Sequence, residues 1–310
     1  MKENTKKQNP LQKIEAQCRK WHLMARIQWL LVHLAMLLTV GVVVIIVGYI
    51  LITGIPNLKP ELFAWTSTTT NKSMMPALIN TLCITVLALL MAVPVGVGGA
   101  IYLTEYAHRG SKIVKVVSLT SETLAGIPSI VYGLFGFMFF NITLGWGYSM
   151  LSGAVTLAIM ILPLILRNTQ EALLSVPDSY REGAFGLGAG KLRAVMKIIL
   201  PSAMPGILAG IILAIGRIVG ESAALLFTSG SGKDNLAFGN TGNFLKDLCA
   251  PLFQSTRTMS VHMYNLMNEG IKDNMEAAQA TAVVLLVMVL AINAASSFAA
   301  KKLTKGKENG

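Results

Sequence analysis

The chain has 310 residues, of which 53% are hydrophobic and 13% charged, with a formal net charge of +11. Its apolar residues gather in runs longer than a soluble helix uses, which excludes a soluble globular domain and points to a helical membrane protein. The positive charge is no sign of nucleic acid, since Lys and Arg flank the apolar runs without a basic stripe, and Cys18, Cys83 and Cys249 are too scattered for a disulfide framework or a metal cluster.

Residues 1–26 hold seven Lys or Arg against two Glu and read as a polar tail. The run Ile27–Ile55 is too long for a signal-peptide core and lacks a small-residue cleavage site, so it predicts a first transmembrane helix. An outer loop to residue 75 follows, with Trp65 and the Thr66–Thr70 stretch at the interface. A five-helix core is expected over residues 76–298 and a basic tail over 299–310. Its spans are predicted at 76–103, 116–140, 148–166, 201–228 and 277–298. Pro94 and the cluster Gly96, Gly98 and Gly99 predict a loosened, kinked inner end for the second span. Pro128 lies among small residues that allow close helix approach in the third. The pairs Gly206-x-x-x-Gly210 and Gly216-x-x-x-Gly220 offer a packing face in the fifth. The polar segment 230–274 predicts a short helix around Ser260–Met267, either a docking surface for a binding protein or a lid over the bundle.

Six spans with both termini inside put 19 of the 26 Lys and Arg on the inner side, six outside, and Arg217 within a span. The positive-inside rule therefore expects cytoplasmic termini and a cytoplasmic loop at residues 179–201. That loop is polar and turn-rich. Ser179-Tyr180-Arg181-Glu182 predicts a capping box, and the short helix it opens is expected to end near Gly188 or Gly190. Leu192–Leu200 is a second amphipathic run, and Pro201 suits the first turn of another helix.

By periodicity alone this is equally a structured loop between membrane helices. Glu182, Ala184, Gly188, Ile198, Leu200 and Pro201, however, stand at the spacing of the EAA loop of importer-type ABC transporter permeases, which the stretch resembles. Gly183 departs from the pattern, standing where the family usually has alanine. The resemblance implies an all-α membrane fold of six transmembrane helices with type I importer (MetI-like) architecture. It also implies that residues 182–188 form a coupling helix seated in a groove of a separate ATPase subunit.

Arg217 and Glu221 are four residues apart, so on one helix they share a face and can pair. Arg217 lies about 24 Å along that helix from Pro201, within the hydrocarbon zone, where an arginine costs roughly 2.5–3.5 kcal/mol and must face a protein or watery interior. The pair reads either as a structural ion pair or as the cationic element of an anion path. Glu105 and Glu122, near span ends, are expected to be solvated or interfacial, and the four histidines, His22, His33, His108 and His262, lack ligand spacing. Gly186–Lys191 only mimics a phosphate loop, since Phe185 takes the first glycine position and Leu192 the magnesium-binding hydroxyl position. No catalytic constellation stands out, so a non-catalytic subunit without bound ATP is expected.

Three runs, Gly99–Tyr106, Leu124–Phe135 and Gly216–Thr228, resemble the phosphate ABC transporter permeases of the PstA type. That resemblance implies a phosphate path involving Arg167, Arg217 and Glu221. It further implies a PstC-like permease partner, two PstB-like ATPases using ATP and Mg, and an extracytoplasmic PstS-like binding protein. Importers of sulfate or molybdate, and a secondary transporter or channel, stand as alternatives.

Overall fold

The computed structural model describes residues 10–65, 72–108, 110–232, 250–269 and 271–308, and every regular element among them is helical. The chain divides into two units, Met1–Thr53 and Gly54–Gly310. The first is formed by α1, Pro10–Gly54. The helix thus starts well before Ile27, inside the expected tail, whose residues 1–9 lie outside the described residues. Proline suits a first helical position, and neither Gly nor Pro interrupts residues 11–40, so nothing in the intervening Gln, Lys, Glu and Arg stops the helix. The stretch Met24–Asn57, most of it in α1, is long and apolar enough to cross a membrane. Within it the hydroxyls of Thr39 and Thr53 donate to the carbonyls of Ala35 and Tyr49, each at 2.8 Å, which satisfies them without water.

In the second unit, short 3-10 turns at Ile55–Asn57 and Pro60–Phe63 precede α2, Met75–Ile101, which is prolonged by a π-helical turn at Tyr102–Tyr106. It remains one helix through Pro94. Gly96 and Gly99 let it close on the next long helix: a Cβ on Gly96 would stand 2.8 Å from Ile165 Cγ2. That helix is α5, Met150–Leu174. Ile84, Leu157, Ile161 and Ile165 are fully buried along the α2–α5 seam.

Between them the expected third span is not one straight helix. It is α3, Lys112–Ala125, followed by α4, Ser129–Gly136, with π-helical turns at Phe137–Thr143, and the two parts meet at 100°. Pro128 has no N–H to continue the ladder and biases Ile127 away from helical geometry. The last turn of α3 tightens instead, with Gly126 N–H donating to Thr123 O (3.2 Å) and Ile127 N–H to Leu124 O (3.1 Å). The Tyr132 hydroxyl then donates to Leu124 O at 2.8 Å and pins the corner. Counting this bent pair as one, the described residues hold six candidate spans.

After α5 come α6, Asp178–Gly186, and α7, Lys191–Ala194, which runs through a π-helical turn at Val195–Ile199 into α8, Leu200–Val219. Pro201 lies in the first turn of α8, as expected, although no break separates that helix from the turn before it. It falls where the Lys197 carbonyl would seek its fourth-residue donor, and a widened turn accommodates the missing N–H. The expected fifth span also stops early. Gly220 caps α8, residues 220–222 are non-helical, and α9 is Ala223–Thr228. Both interrupted spans meet, because Gly133 of α4 lies against Ala224 of α9, where a Cβ would stand 2.7 Å from Cα.

Residues 233–249 of the expected outer segment lie outside the described residues. Its later part includes α10, Met259–Asn268, close to the short helix expected there. The segment is packed into the bundle: Met259 N–H donates to Thr81 Oγ1 (2.9 Å), Asn80 Nδ2 to Arg257 O (3.3 Å) and Ser260 Oγ to Glu221 O (2.6 Å). Helix α11, Lys272–Glu308, completes the unit and packs on α8 and α10.

Candidate functional site

Two places hold the residues singled out in the sequence. The first is the corner at α6. Pro177, extended at ψ 140, is the residue before the helix, so α6 begins at Asp178 and Ser179 lies inside its first turn. The predicted capping box therefore does not form, and no side chain caps this end. Arg181 ties the corner together instead. Its Nη2 donates to Glu105 Oε1 (2.7 Å) and to Leu173 O (3.0 Å), and its Nη1 to Val176 O (2.8 Å) and Asp178 Oδ1 (3.1 Å). One guanidinium thus joins the end of α2, the end of α5 and the start of α6, adding a donor to the Leu173 carbonyl, which also accepts from Val176 N–H at 3.4 Å. The Arg181 and Glu105 side chains are only 15% and 7% exposed, and the hydrogen bond that Arg181 donates to Glu105 is the leading cause that raises the guanidinium pKa above its ordinary value. Glu105 is therefore a buried partner, contrary to the solvated residue expected, because the π-helical turn at the end of α2 carries it under α6.

At its other end α6 closes as the glycines suggest. Gly188 takes φ +80, its N–H donates to Phe185 O (2.9 Å), and Ala189 N–H donates to Ala184 O (3.0 Å), a Schellman closure. Of residues 182–188 only Ala184 is buried; Glu182, Gly183 and Phe185 face outward, and Leu187 is 92% exposed. Ile198, Leu200 and Pro201 are half-buried on the π-helical turn and the first turn of α8. Beside α6 a polar hollow of ≈ 870 Å³ is lined by Glu105, Glu122, Arg167, Glu171, Arg181 and Lys191, among others. Arg167 belongs here, paired with Glu171 at 3.0 Å in an exposed i,i+4 contact.

The second place is the open face of α8. Gly206 and Gly210 press on α5: a Cβ on Gly206 would stand 2.7 Å from Ala172 Cβ, and one on Gly210 2.6 Å from Asn168 Cβ. Gly216 has only ordinary contact distances and Gly220 meets its own helix, so the second glycine pair makes no comparable close approach. Along this face runs a cleft of ≈ 290 Å³ that includes Asn168 and Glu171. Ala209 and Leu213 also line a hollow of ≈ 550 Å³ that contains Leu164, Ile212, Arg217 and Asn293. Glu171 lines both the cleft and the polar hollow at α6. The three hollows share wall residues in turn, Glu171 and then Ala209 and Leu213, while Arg167 and Arg217 line no common one.

Arg217 and Glu221 are not paired. The break at residues 220–222 removes the shared helix face, and each charge serves a different helix end. Arg217 stands in the last turn of α8, where free carbonyls favour a cation. Glu221 Oε1 accepts from Ala224 N–H at 3.1 Å at the start of α9, where free N–H groups favour an anion. Arg217 makes no ion pair or hydrogen bond among the described residues. Sequence reasoning missed Glu105, Asn168 and Asn293; a lone amide inside an apolar helix is itself a signal of an interior face.

The family described as Binding-protein-dependent transport system inner membrane component matches residues 92–308. The probable ABC transporter permease protein YqgI of Bacillus subtilis (strain 168) is 36% identical over 270 residues, covering 83% of this chain and 90% of that protein. The phosphate transport system permease protein PstA of Xylella fastidiosa (strain 9a5c) is 34% identical over 207 residues, 67% of each chain. PstA 1 of Mycobacterium tuberculosis (strain CDC 1551 / Oshkosh) is 41% identical over 154 residues, 50% of each. A solved bacterial alginate ABC transporter, in complex with an alginate pentasaccharide-bound periplasmic protein, shares the fold with TM-score 0.60 at 18% identity, over 93% of this chain and 99% of that one. The inward-facing MetNI methionine ABC transporter does so with TM-score 0.58 at 20% identity, over 74% and 97%. The chain thus belongs to the binding-protein-dependent transport system inner membrane component family, as a multi-pass permease subunit of an ABC importer.

Proposed function

We propose that this permease carries inorganic phosphate and forms half of its path through the membrane. The observation that carries the reading is Arg217, a cation without an ion-pair partner among the described residues, at the end of an interrupted helix beside an open hollow. A multiply charged oxyanion needs fixed positive charge to enter the hydrocarbon zone, and a guanidinium offers paired donors that match two phosphate oxygens. A single such group attracts the anion without a closed cage around it, as a site that must also release requires. The identity to relatives named as phosphate permeases supports phosphate over sulfate or molybdate. Arg167, in the polar hollow at α6, is the second cation of the path, and Glu221 keeps the gap in the fifth span open by capping α9.

In the same reading α6 is the coupling helix. Exposed Phe185 and Leu187 are its apolar contacts in an ATPase groove, and Arg181 passes the movement to α2 and α5. ATP and Mg belong to two PstB-like ATPase subunits. A PstC-like permease closes the open face of α8, and a PstS-like protein delivers phosphate at the opposite end. The distribution of Lys and Arg supports an inner-membrane orientation with α6 and both termini in the cytoplasm.

The test is ATP-driven uptake by the reconstituted complex, with phosphate, sulfate and molybdate in competition. Phosphate is expected to be the transported ion, and Arg217→Gln to lower its uptake by about tenfold or more, the worth of a charged hydrogen bond. Uptake unaffected by that substitution would refute the anion path. Retained assembly with the ATPase after Glu182→Arg would refute the coupling role of α6.

A further inference from the structure

We infer that α3 is a membrane-surface helix, whose outward face rests on anionic lipid at the end of the bundle that carries α6. Helices α2 and α5 are antiparallel along their seam: a Cβ on Gly153 would stand 3.7 Å from Ile84 Cδ1, whereas Gly96 lies against Ile165. The chain leaves the end of α2 at Tyr106 and must return to the opposite end, where α5 starts at Met150. The uncharged stretch Ser129–Thr143 makes that climb. Helix α3, bent 100° from it, stays behind. Val114 and Val117 both pack into the cluster that includes Ala100, Leu103 and Leu173, where α2 and α5 end. Val114, Ser118 and Glu122 likewise all border the polar hollow at α6.

The opposite face of α3 is uncovered. Ile113, Val116 and Leu119 are 60%, 61% and 66% exposed, and the Thr123 hydroxyl is satisfied without water by donating to Leu119 O at 2.8 Å. Lys112 and Lys115 stand at the start of the same helix, both exposed and without an ion pair or hydrogen bond among the described residues. They occupy the first turn, where the free N–H groups of the helix disfavour a cation, so nothing in α3 itself favours them there. This mixture decides what covers the face. Lysine is depleted from the core of protein–protein interfaces, and a protein seated on Val116 would have to strip water from the lysines beside it. A bilayer surface takes both kinds of group at once. Aliphatic side chains sink below the headgroups, while the flexible lysine stem carries its ammonium up to them. An anionic headgroup supplies the counter-charge that α3 lacks.

The test places photoreactive p-benzoylphenylalanine at Val116 and, separately, at Leu119 in the full complex, held in vesicles of phosphatidylcholine and phosphatidylglycerol in equal parts. Mass spectrometry after irradiation identifies what each position touches. Lipid adducts are expected, with phosphatidylglycerol favoured over phosphatidylcholine by about fivefold or more. That preference should weaken in raised salt, fall towards one in Lys112→Gln/Lys115→Gln, and persist in Lys112→Arg/Lys115→Arg. Adducts with another subunit at both positions would overturn the inference by giving the face to a protein. The absence of any adduct would overturn it by giving the face to water. Lipid adducts that show no preference for phosphatidylglycerol, or a preference that survives the loss of both lysines, would overturn the recognition of anionic lipid. None of these readings involves the transported ion, so the proposed transport function stands or falls separately.

Discussion

Arg181 and Arg217 are the same side chain in opposite circumstances. Arg181 donates to Glu105, Asp178 and two backbone carbonyls, and its partner Glu105 is buried with it. Arg217 lies beside an open hollow with no hydrogen-bond or ion-pair partner among the described residues. A guanidinium with its donors filled holds chain segments in place. One with its donors free has only the field of a helix end to stabilise it, and it is available to a ligand. The α6 corner is thereby a joint between three helices, and the α8 face is an open surface.

That contrast can be broken most directly at the joint. Arg181→Met strands a buried carboxylate, which costs on the order of 3–5 kcal/mol; thermal unfolding of the purified complex should show the loss, whereas Arg217→Gln should melt like the parent. Equal melting for both substitutions would mean that Arg181 is no joint. The next largest effect is expected where α8 touches α5. Gly210→Leu drives side-chain atoms into Asn168, whose Cβ would be 2.6 Å from even a first carbon, and overpacking of this kind costs about 1–3 kcal/mol. The same change at Gly216, which has ordinary clearance, should be milder, so the ratio of the two melting shifts measures how firmly that face is closed.

Gly183→Ala should act in the other direction. Nothing lies within 4 Å of a Cβ there, so the residue usual in the family fits and should stabilise α6 by about 0.4–1 kcal/mol through the unfolded chain. A lower melting temperature would show that Gly183 has a contact of its own in the assembled complex. Smallest of all, Arg167→Ala removes an exposed i,i+4 pair worth about 0.3–0.5 kcal/mol. Its effect on melting should be near the limit of detection, so any large fall in uptake would separate transport from stability at that residue.

How much of this was legible beforehand varied with the kind of information required. The left-handed turn at Gly188 could be read because glycine answers a purely local demand on φ. The start of α6 was misread by two residues, because Pro177 and Ser179 are both acceptable before a helix and only the packed corner selects between them. Arg217 and Glu221 looked like partners because four-residue spacing implies a shared face only if the helix continues. Gly220 ends it, and no local pattern distinguished that glycine from Gly216 or Gly210. Glu105 looked solvated because its partner Arg181 is 76 positions away in the chain.

The sequence by itself determined a helical membrane protein, its principal apolar runs and the uneven placement of its Lys and Arg. Run length, hydrophobicity and the placement of Lys and Arg are sums over local composition. Tertiary structure decided that two spans are interrupted and meet at α4 and α9, and that Arg181 is sealed onto Glu105. It also decided that Arg217 and Asn293 line one hollow. These features depend on which distant backbone fills the place a proline or glycine leaves open, and that choice is settled only when the helices pack.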